Sequence, residues 1–376
     1  MINIFQPQLG KEELGAVEEV FKSNWIGKGN KTNQFESDFA AYMGVNRNQV
    51  ISTTCCTVAM FYIMRLLNLK KDDEVIIPSI SFVGASNAIV DAGAKIVFCD
   101  VDQRTLNISF ETFLDKVTDK TKAVLIIHYG GFPVEDIFTI RDYCNNHGIY
   151  LVEDSACSVA SKYNGIHCGG IGNFGAFSFD AMKILVCGDG SMIYCRDPKD
   201  KERLDKILYL GLESKSGLSS TVDSKWWEFD ISSCSSRNIL NDITSAIGIE
   251  QLKKLNGFIS RRKEIWDRYN EGLKSELWLQ LPPTLLSNST SSYYFYWVQT
   301  SPKLRDGLAK YLKENGVYTT FRYYPLHKVK YYGYEGKLIS SENASEMTLC
   351  LPIHQSLTND EVDKIIGLVK LFGVKS

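Results

Sequence analysis

From residue 50 to about 195, short continuous apolar runs alternate with segments whose apolar positions recur every three to four residues. The runs are "VISTT", "DEVIIPS", "KIVFCDVD", "KAVLIIHYG", "IYLVEDSA", "AFSF" and "SMIYC". Runs that are apolar at nearly every position predict strands buried on both faces, as in a mainly parallel sheet. Between them, "TVAMFYIMRLLNL" and "VEDIFTIRDYCNNHG" predict helices, the second stopping at Asn-His-Gly. Such alternation predicts an α/β domain, a seven-stranded sheet flanked by helices.

The pattern changes near residue 242. There "DITSAIGIEQLKKLNGFISRRKEIWDRYNEGL" predicts one long helix. Strand "YYFYWVQT", helix "KLRDGLAKYLKENG", strand "VYTTFRYY" and helix "NDEVDKIIGLVKLFG" are expected to follow. We expect a large domain over residues 1–245, including an N-terminal helical segment, and a smaller α+β domain over 246–376. The serine-rich stretch from Ser214 to Ser224 and "SNSTSSYY" are expected to be loops. No repeat or low-complexity segment interrupts the chain.

Composition narrows the classes. A chain of 376 residues can bury a large core. A formal charge of −2 gives no sign of a nucleic-acid or membrane surface. No apolar run approaches the roughly 20 residues that span a bilayer. The opening "MINIFQPQLGKEEL" lacks the basic-then-apolar pattern of a secretion signal, so a cytoplasmic location is expected. The ten cysteines sit mostly inside apolar runs without a CxxC pair, which predicts reduced thiols. The five histidines show neither HxH nor HExxH spacing, and no metal site is expected.

In open α/β sheets ligands gather at the carboxyl ends of the strands. Thr54-Cys55-Cys56-Thr57 follows "VIST" and leads into a helix, where free backbone N–H groups can receive an anion. Glu153-Asp154-Ser155 ends another strand, His128-Tyr129-Gly130 a third, and Asp180 with Lys183 a fourth. Each has a plain structural reading: a helix cap, a loop cap, a core histidine, a snorkelling lysine. The turn Gly188-Asp189-Gly190 reads as a hairpin. Together, however, they match what pyridoxal phosphate needs. Lys183 offers the amine, Asp154 an acid for the ring nitrogen, and Cys56, Thr57 and Ser178 an anion cradle.

The chain resembles the sugar aminotransferases of the DegT/DnrJ/EryC1/StrS family, which have the aspartate aminotransferase (fold type I) architecture. The resemblance runs over nearly the whole length, through "FESDFAAYMG", "DDEVIIPSISFVGASNAIVDAGAKIVFCDVD", "HYGG", "LVEDSA", "FSFDAMK", "SAIGIEQL", "YYPLH" and "CLPIHQSLTNDEVDKI". It implies that Lys183 is the Schiff-base lysine and that Asp154 pairs with the pyridinium nitrogen. It implies that Phe82 stacks on the cofactor ring, and that Cys56-Thr57 and Ser178 hold the phosphate. Arg322, Tyr324 and His327 in "FRYYPLH", with His128, become candidates for the acceptor's diphosphate or hydroxyls. The expected reaction moves an amino group from an amino acid, glutamate in relatives, to C4 of a nucleotide-linked 4-keto-6-deoxyhexose. Pyridoxamine phosphate is the intermediate form. Deoxysugar or O-antigen synthesis is the expected setting and a homodimer the expected assembly.

Three departures stand out. Cys157 occupies a place where relatives often carry Gln or Glu close to the cofactor. Ser191 replaces a glycine after the lysine. Arg237 falls where many relatives have an asparagine that reaches a neighbouring subunit's phosphate, with Asn238 one residue off. Rival readings are a sugar dehydratase, a cofactor-bound sensor without turnover, and a nicotinamide enzyme. The last is disfavoured because no strand is followed by G-x-G-x-x-G. Lys183 speaks against the dehydratase, which has histidine there.

Overall fold

The seven apolar runs assemble into one sheet. In the computed structural model, which describes residues 1–213, Trp227 and residues 229–375, its strands are β1 (Val50–Thr53), β2 (Glu74–Pro78), β3 (Lys95–Cys99), β4 (Thr121–Ile127), β5 (Tyr150–Asp154), β6 (Phe174–Ser178) and β7 (Ser191–Cys195). Their order is β1-β7-β6-β5-β4-β2-β3. All neighbours pair in parallel except β7, which is antiparallel to both β1 and β6. The cause is local: parallel strands need a crossover, whereas β6 returns directly through the loop 179–190. The serine-rich stretch Ser214 to Ser224 lies outside the described residues.

Helices cover both faces. α1 (Lys11–Lys22) and α2 (Asn30–Met43) precede the sheet, and α3 (Cys56–Leu66), α4 (Val83–Asp91), α5 (Phe110–Leu114), α6 (Ile137–His147) and α7 (Pro198–Ile207) follow β1, β2, β3, β4 and β7 in turn. One core joins Met60, Ile63, Ala88 and Ile89 of α3 and α4 to Ile51, Val75, Leu125 and Val152 of the sheet. The opposite face buries Phe113, Ile137, Ile140 and Cys144 against Ile76, Val124 and Ile126. Strands buried on both sides explain the unbroken apolar runs. The predicted stop of α6 is observed, with Gly148 at φ +65°.

The long helix α8 (Asp242–Leu273) starts where its sequence predicts, with Asn241 accepting a hydrogen bond from Thr244 N at 3.0 Å. Its Asp242 also receives Gly29 N, Thr32 N and Thr32 Oγ1 at 2.7–2.9 Å, so one carboxylate anchors the start of α2 as well. Arg262, only 1 % exposed, donates to Gln355 Oε1 and to the carbonyls of Tyr293 and Ile353. Burial pushes its pKa down to about 10. It ties α8 to the C-terminal elements. These are β8 (Tyr296–Gln299), α9 (Pro302–Glu314), α10 (Ile339–Met347), β9 (Thr348–Leu351) and α11 (Asn359–Lys375), with β8 and β9 antiparallel.

Two expectations need correction. "VYTTFRYY" does not form a strand. Among the described residues it makes only single bridges, Val317 with Ile2 and Thr320 with Cys350, and the strand pairing with β8 is β9. "SNSTSSYY" is not wholly loop, because Ser289–Thr290 pairs with Lys162–Tyr163, which pairs with Ile166–His167. The boundary expected at 245/246 falls inside α8. Meanwhile the first residues reach the C-terminal elements: Ile2 N donates to Gly316 O at 2.7 Å and accepts from Tyr318 N at 2.9 Å.

Candidate active site

Successive residues of a strand point to opposite faces, and β5 ends on two carboxylates that use this alternation. Glu153 is fully buried and accepts hydrogen bonds from the N–H groups of Gly169 (2.7 Å), Ile171 (2.7 Å) and Gly172 (2.5 Å). Its fourth partner is His128 Nε2 at 2.9 Å. His128 Nδ1 accepts from Val134 N at 3.1 Å, which places the ring proton on Nε2. His128, expected as a substrate contact, is placed as a fully buried loop anchor and does not line the cavity described below.

Asp154 faces the other way, into a cavity of about 200 Å3. Its carboxylate accepts from Ala156 N at 3.0 Å. Burial pushes its pKa up, with the Ala156 N–H and the Lys183 charge opposing.

Lys183 enters the same cavity from the loop 179–190. Expected as a plain hairpin turn, Gly188–Gly190 instead closes a longer loop. Phe179 N bonds to Gly190 O and Cys187 N to Phe179 O, both at 2.9 Å. Asp180 bridges to Gly188, whose φ of +92° favours glycine. Asp180 also accepts Met182 N on Oδ1 and Lys183 N on its carbonyl, each at 2.9 Å, and so fixes the turn that presents the lysine. Lys183 is half-buried, and its Nζ lies 4.9 Å from the Tyr294 ring centroid. Burial works against its charge, but Tyr294, Cys157, Asp154 and Cys56 outweigh it and hold the pKa above the ordinary value.

The start of α3 forms another wall. Its N-cap, Cys55, makes no side-chain capping bond, so first-turn N–H groups remain for a ligand where Cys55, Cys56 and Thr57 line the cavity. Gly84 in α4 packs so closely that a Cβ there would lie 3.0 Å from Thr57 Oγ1. Ser178, ending β6, lines the same cavity. Phe82 does too, and at 42 % exposure its ring is open to a flat ligand.

The "FRYYPLH" segment divides. Arg322 lines the cavity, and so does Tyr323, which the sequence reading passed over. Tyr323 OH lies 3.7 Å from Cys157 Sγ, and its ring is 5.8 Å from that of Phe82. Cys157 is buried behind it, its thiol pKa pushed up by burial. Tyr324 is 60 % exposed and does not line the cavity. His327 is buried as a latch, Nδ1 to Ser79 Oγ at 2.6 Å and Nε2 to Glu342 Oε1 at 3.2 Å. Neither of these two expected substrate contacts lines the cavity. Arg237 packs over Tyr209, and Asn238 bonds to Tyr62 and Ser236. Ser191 is buried opposite Ser178 in the β6–β7 pair. Tyr294, also missed, could have been sought only through the aromatic density of "SSYYFYW", which reads equally well as core.

These residues fit pyridoxal phosphate. An uncapped helix end suits its phosphate, the buried Asp154 its ring nitrogen, Lys183 its aldehyde and the open ring of Phe82 its flat face. Fold and site thus define a pyridoxal-phosphate enzyme of fold type I. The model of the DegT/DnrJ/EryC1/StrS aminotransferase family matches residues 7–370, and the chain belongs to that family. It is 48% identical over 363 residues to the dTDP-4-dehydro-2,3,6-trideoxy-D-glucose 4-aminotransferase of Saccharopolyspora spinosa, covering 96% of this chain and 94% of that one. It is 28% identical to the GDP-perosamine synthase of Vibrio cholerae, over 98% of each chain. The crystal structure of the aminotransferase TlmJ from Streptoalloteichus hindustanus superposes with a TM-score of 0.95 at 49% identity, covering 100% of this chain and 99% of the other. The protein is a pyridoxal-phosphate-dependent sugar aminotransferase.

Proposed function

We propose that the enzyme moves the amino group of glutamate to C4 of a dTDP-linked 4-keto-deoxyhexose, in deoxysugar synthesis in the cytoplasm. The observation that carries this reading is Asp154 and Lys183 meeting in one cavity beside the uncapped start of α3. The choice of sugar rests on the similarity to the dTDP-sugar 4-aminotransferase. When bound, pyridoxal phosphate supplies the aldehyde that carries nitrogen and the ring that takes up electrons. The N–H groups of Cys56 and Thr57, with Ser178, hold its phosphate. Asp154 keeps the proton on its ring nitrogen, as an adjacent opposite charge favours the protonated form. Phe82 and Tyr323 cover the ring and exclude water. Lys183 Nζ takes the proton from the donor's α-carbon and later returns one to C4 of the sugar.

We further propose a homodimer. Leu14, Phe21, Trp25 and Ile26, each more than half exposed, form apolar surface around α1 that a second copy can cover. The two units are taken as residues 1–245 and 246–376, with residues 2–5 docked on the second. The test of function is mass-spectrometric detection of amination across a panel of nucleotide-linked ketosugars, with glutamate as donor. A C4-amino product from dTDP sugars supports the proposal, and amination only of another sugar class refutes it.

A further inference from the structure

A column of side chains behind the cavity begins at the chain's N-terminal segment. Phe5 stacks on Tyr294 with centroids 5.5 Å apart and planes 22° apart, and Tyr294 lies under the Lys183 amine. On Phe5 also rests the guanidinium of Arg322, its Cζ 5.1 Å from the ring centroid. Arg322 Nη2 reaches the thioether of Met182, the residue before the lysine, at 3.6 Å. Among the described residues no carboxylate pairs with Arg322. A guanidinium held by an aromatic face and a sulfur, in the cavity that Lys183 also lines, is suited to receive an anion.

Two anions enter such a site. An amino acid carries its carboxylate on the very carbon that loses the proton, so that anion must sit next to Lys183. The diphosphate of a hexose sits across the sugar ring from C4 and lies farther out. Arg322 contacts the neighbour of Lys183, which suits the first. We propose that Arg322 receives the α-carboxylate of the amino-acid donor and that Phe5 is a positioning residue that aims it. This rests on the proposed amino-acid donor and assigns the anion receptor to the donor rather than the acceptor.

The structure also explains how an N-terminal side chain reaches the site. The bonds of Ile2 to Gly316 and Tyr318 fix the segment three residues before Phe5. The hydroxyl of Tyr129 donates to the Arg322 carbonyl, fixing the other side of the pair.

The test titrates the cofactor-loaded enzyme with glutarate, a dicarboxylate without an amine, and separately with dTDP. Phe5→Ala and Arg322→Lys should each weaken glutarate about tenfold, the scale of losing one oriented charge-assisted contact, and leave dTDP within about twofold. The double variant should bind glutarate no more weakly than Arg322→Lys alone, because Phe5 acts through the arginine. Phe5→Tyr, which keeps the ring, should restore binding. Additive losses, equal losses for both ligands with a lowered melting temperature, or weakened dTDP with unchanged glutarate would each overturn the assignment. Conversion of the parent enzyme's cofactor by glutamate, followed by its visible spectrum, tests the donor independently.

Discussion

Replacing Glu153 by glutamine changes no volume and one charge, yet should destabilise the protein strongly. The carboxylate accepts four hydrogen bonds, from Gly169, Ile171, Gly172 and His128. A glutamine offers one acceptor oxygen with two lone pairs, and its NH2 must face a donor. Two buried donors then lose their acceptor, at about 1–3 kcal/mol each. The expected loss is about 4 kcal/mol, a large part of the 5–15 kcal/mol typical of a domain. Urea unfolding followed by circular dichroism measures it. Because Glu153 points away from the cavity, the variant should still bind cofactor and turn over under conditions where it is folded. A loss below about 1 kcal/mol would refute the reasoning, since it would mean the four contacts are not made.

Asp154→Asn should lose on the order of a hundredfold or more in transamination rate, a typical cost of removing an electrostatic contact to developing charge; steady-state rates within twofold of the parent would reject the assigned role. The same change should stabilise the cofactor-free protein. Burial raises the Asp154 pKa, so its stability contribution is full below the unfolded value near pH 4 and is lost as pH rises through the folded value. The gain in melting temperature over the parent should therefore be small below pH 4 and grow above it, and a gain independent of pH would contradict the assignment. His327→Ala breaks the latch to Ser79 and Glu342, and should lower the melting temperature through two lost hydrogen bonds while leaving the cofactor spectrum unchanged. Light scattering should give a dimer mass at working concentration; a stable, active monomer would refute the proposed assembly.

The sheet was legible because its strands are buried on both faces, so their apolar runs carry an unambiguous signal. Asp154, at the end of such a run, and Lys183, between two of them, were legible because charged residues beside buried strands are costly unless used. His128 was not legible: a histidine at a strand end reads the same whether it faces a ligand or anchors a loop, and its contacts with Val134 and Glu153 appear only in the structure. "VYTTFRYY" misled for a related reason. Its alternation is strand-like, but only Val317 and Thr320 find bridge partners. Tyr294, Tyr323 and Phe5 gave no signal, since aromatic residues belong to cores far more often than to sites. Phe5 in particular reaches the site only through pairing of residue 2 with residues 316–318, a contact that no local pattern encodes.

The account turns on Lys183 as the residue that bonds the cofactor. Borohydride reduction of the loaded enzyme, followed by peptide mapping, tests this directly. The cofactor should be fixed to the peptide containing "FSFDAMK", and Lys183→Ala should retain bound cofactor through the α3 end and Ser178 but take no label. A label on any other lysine, or normal turnover by Lys183→Ala without added amine, would contradict the account.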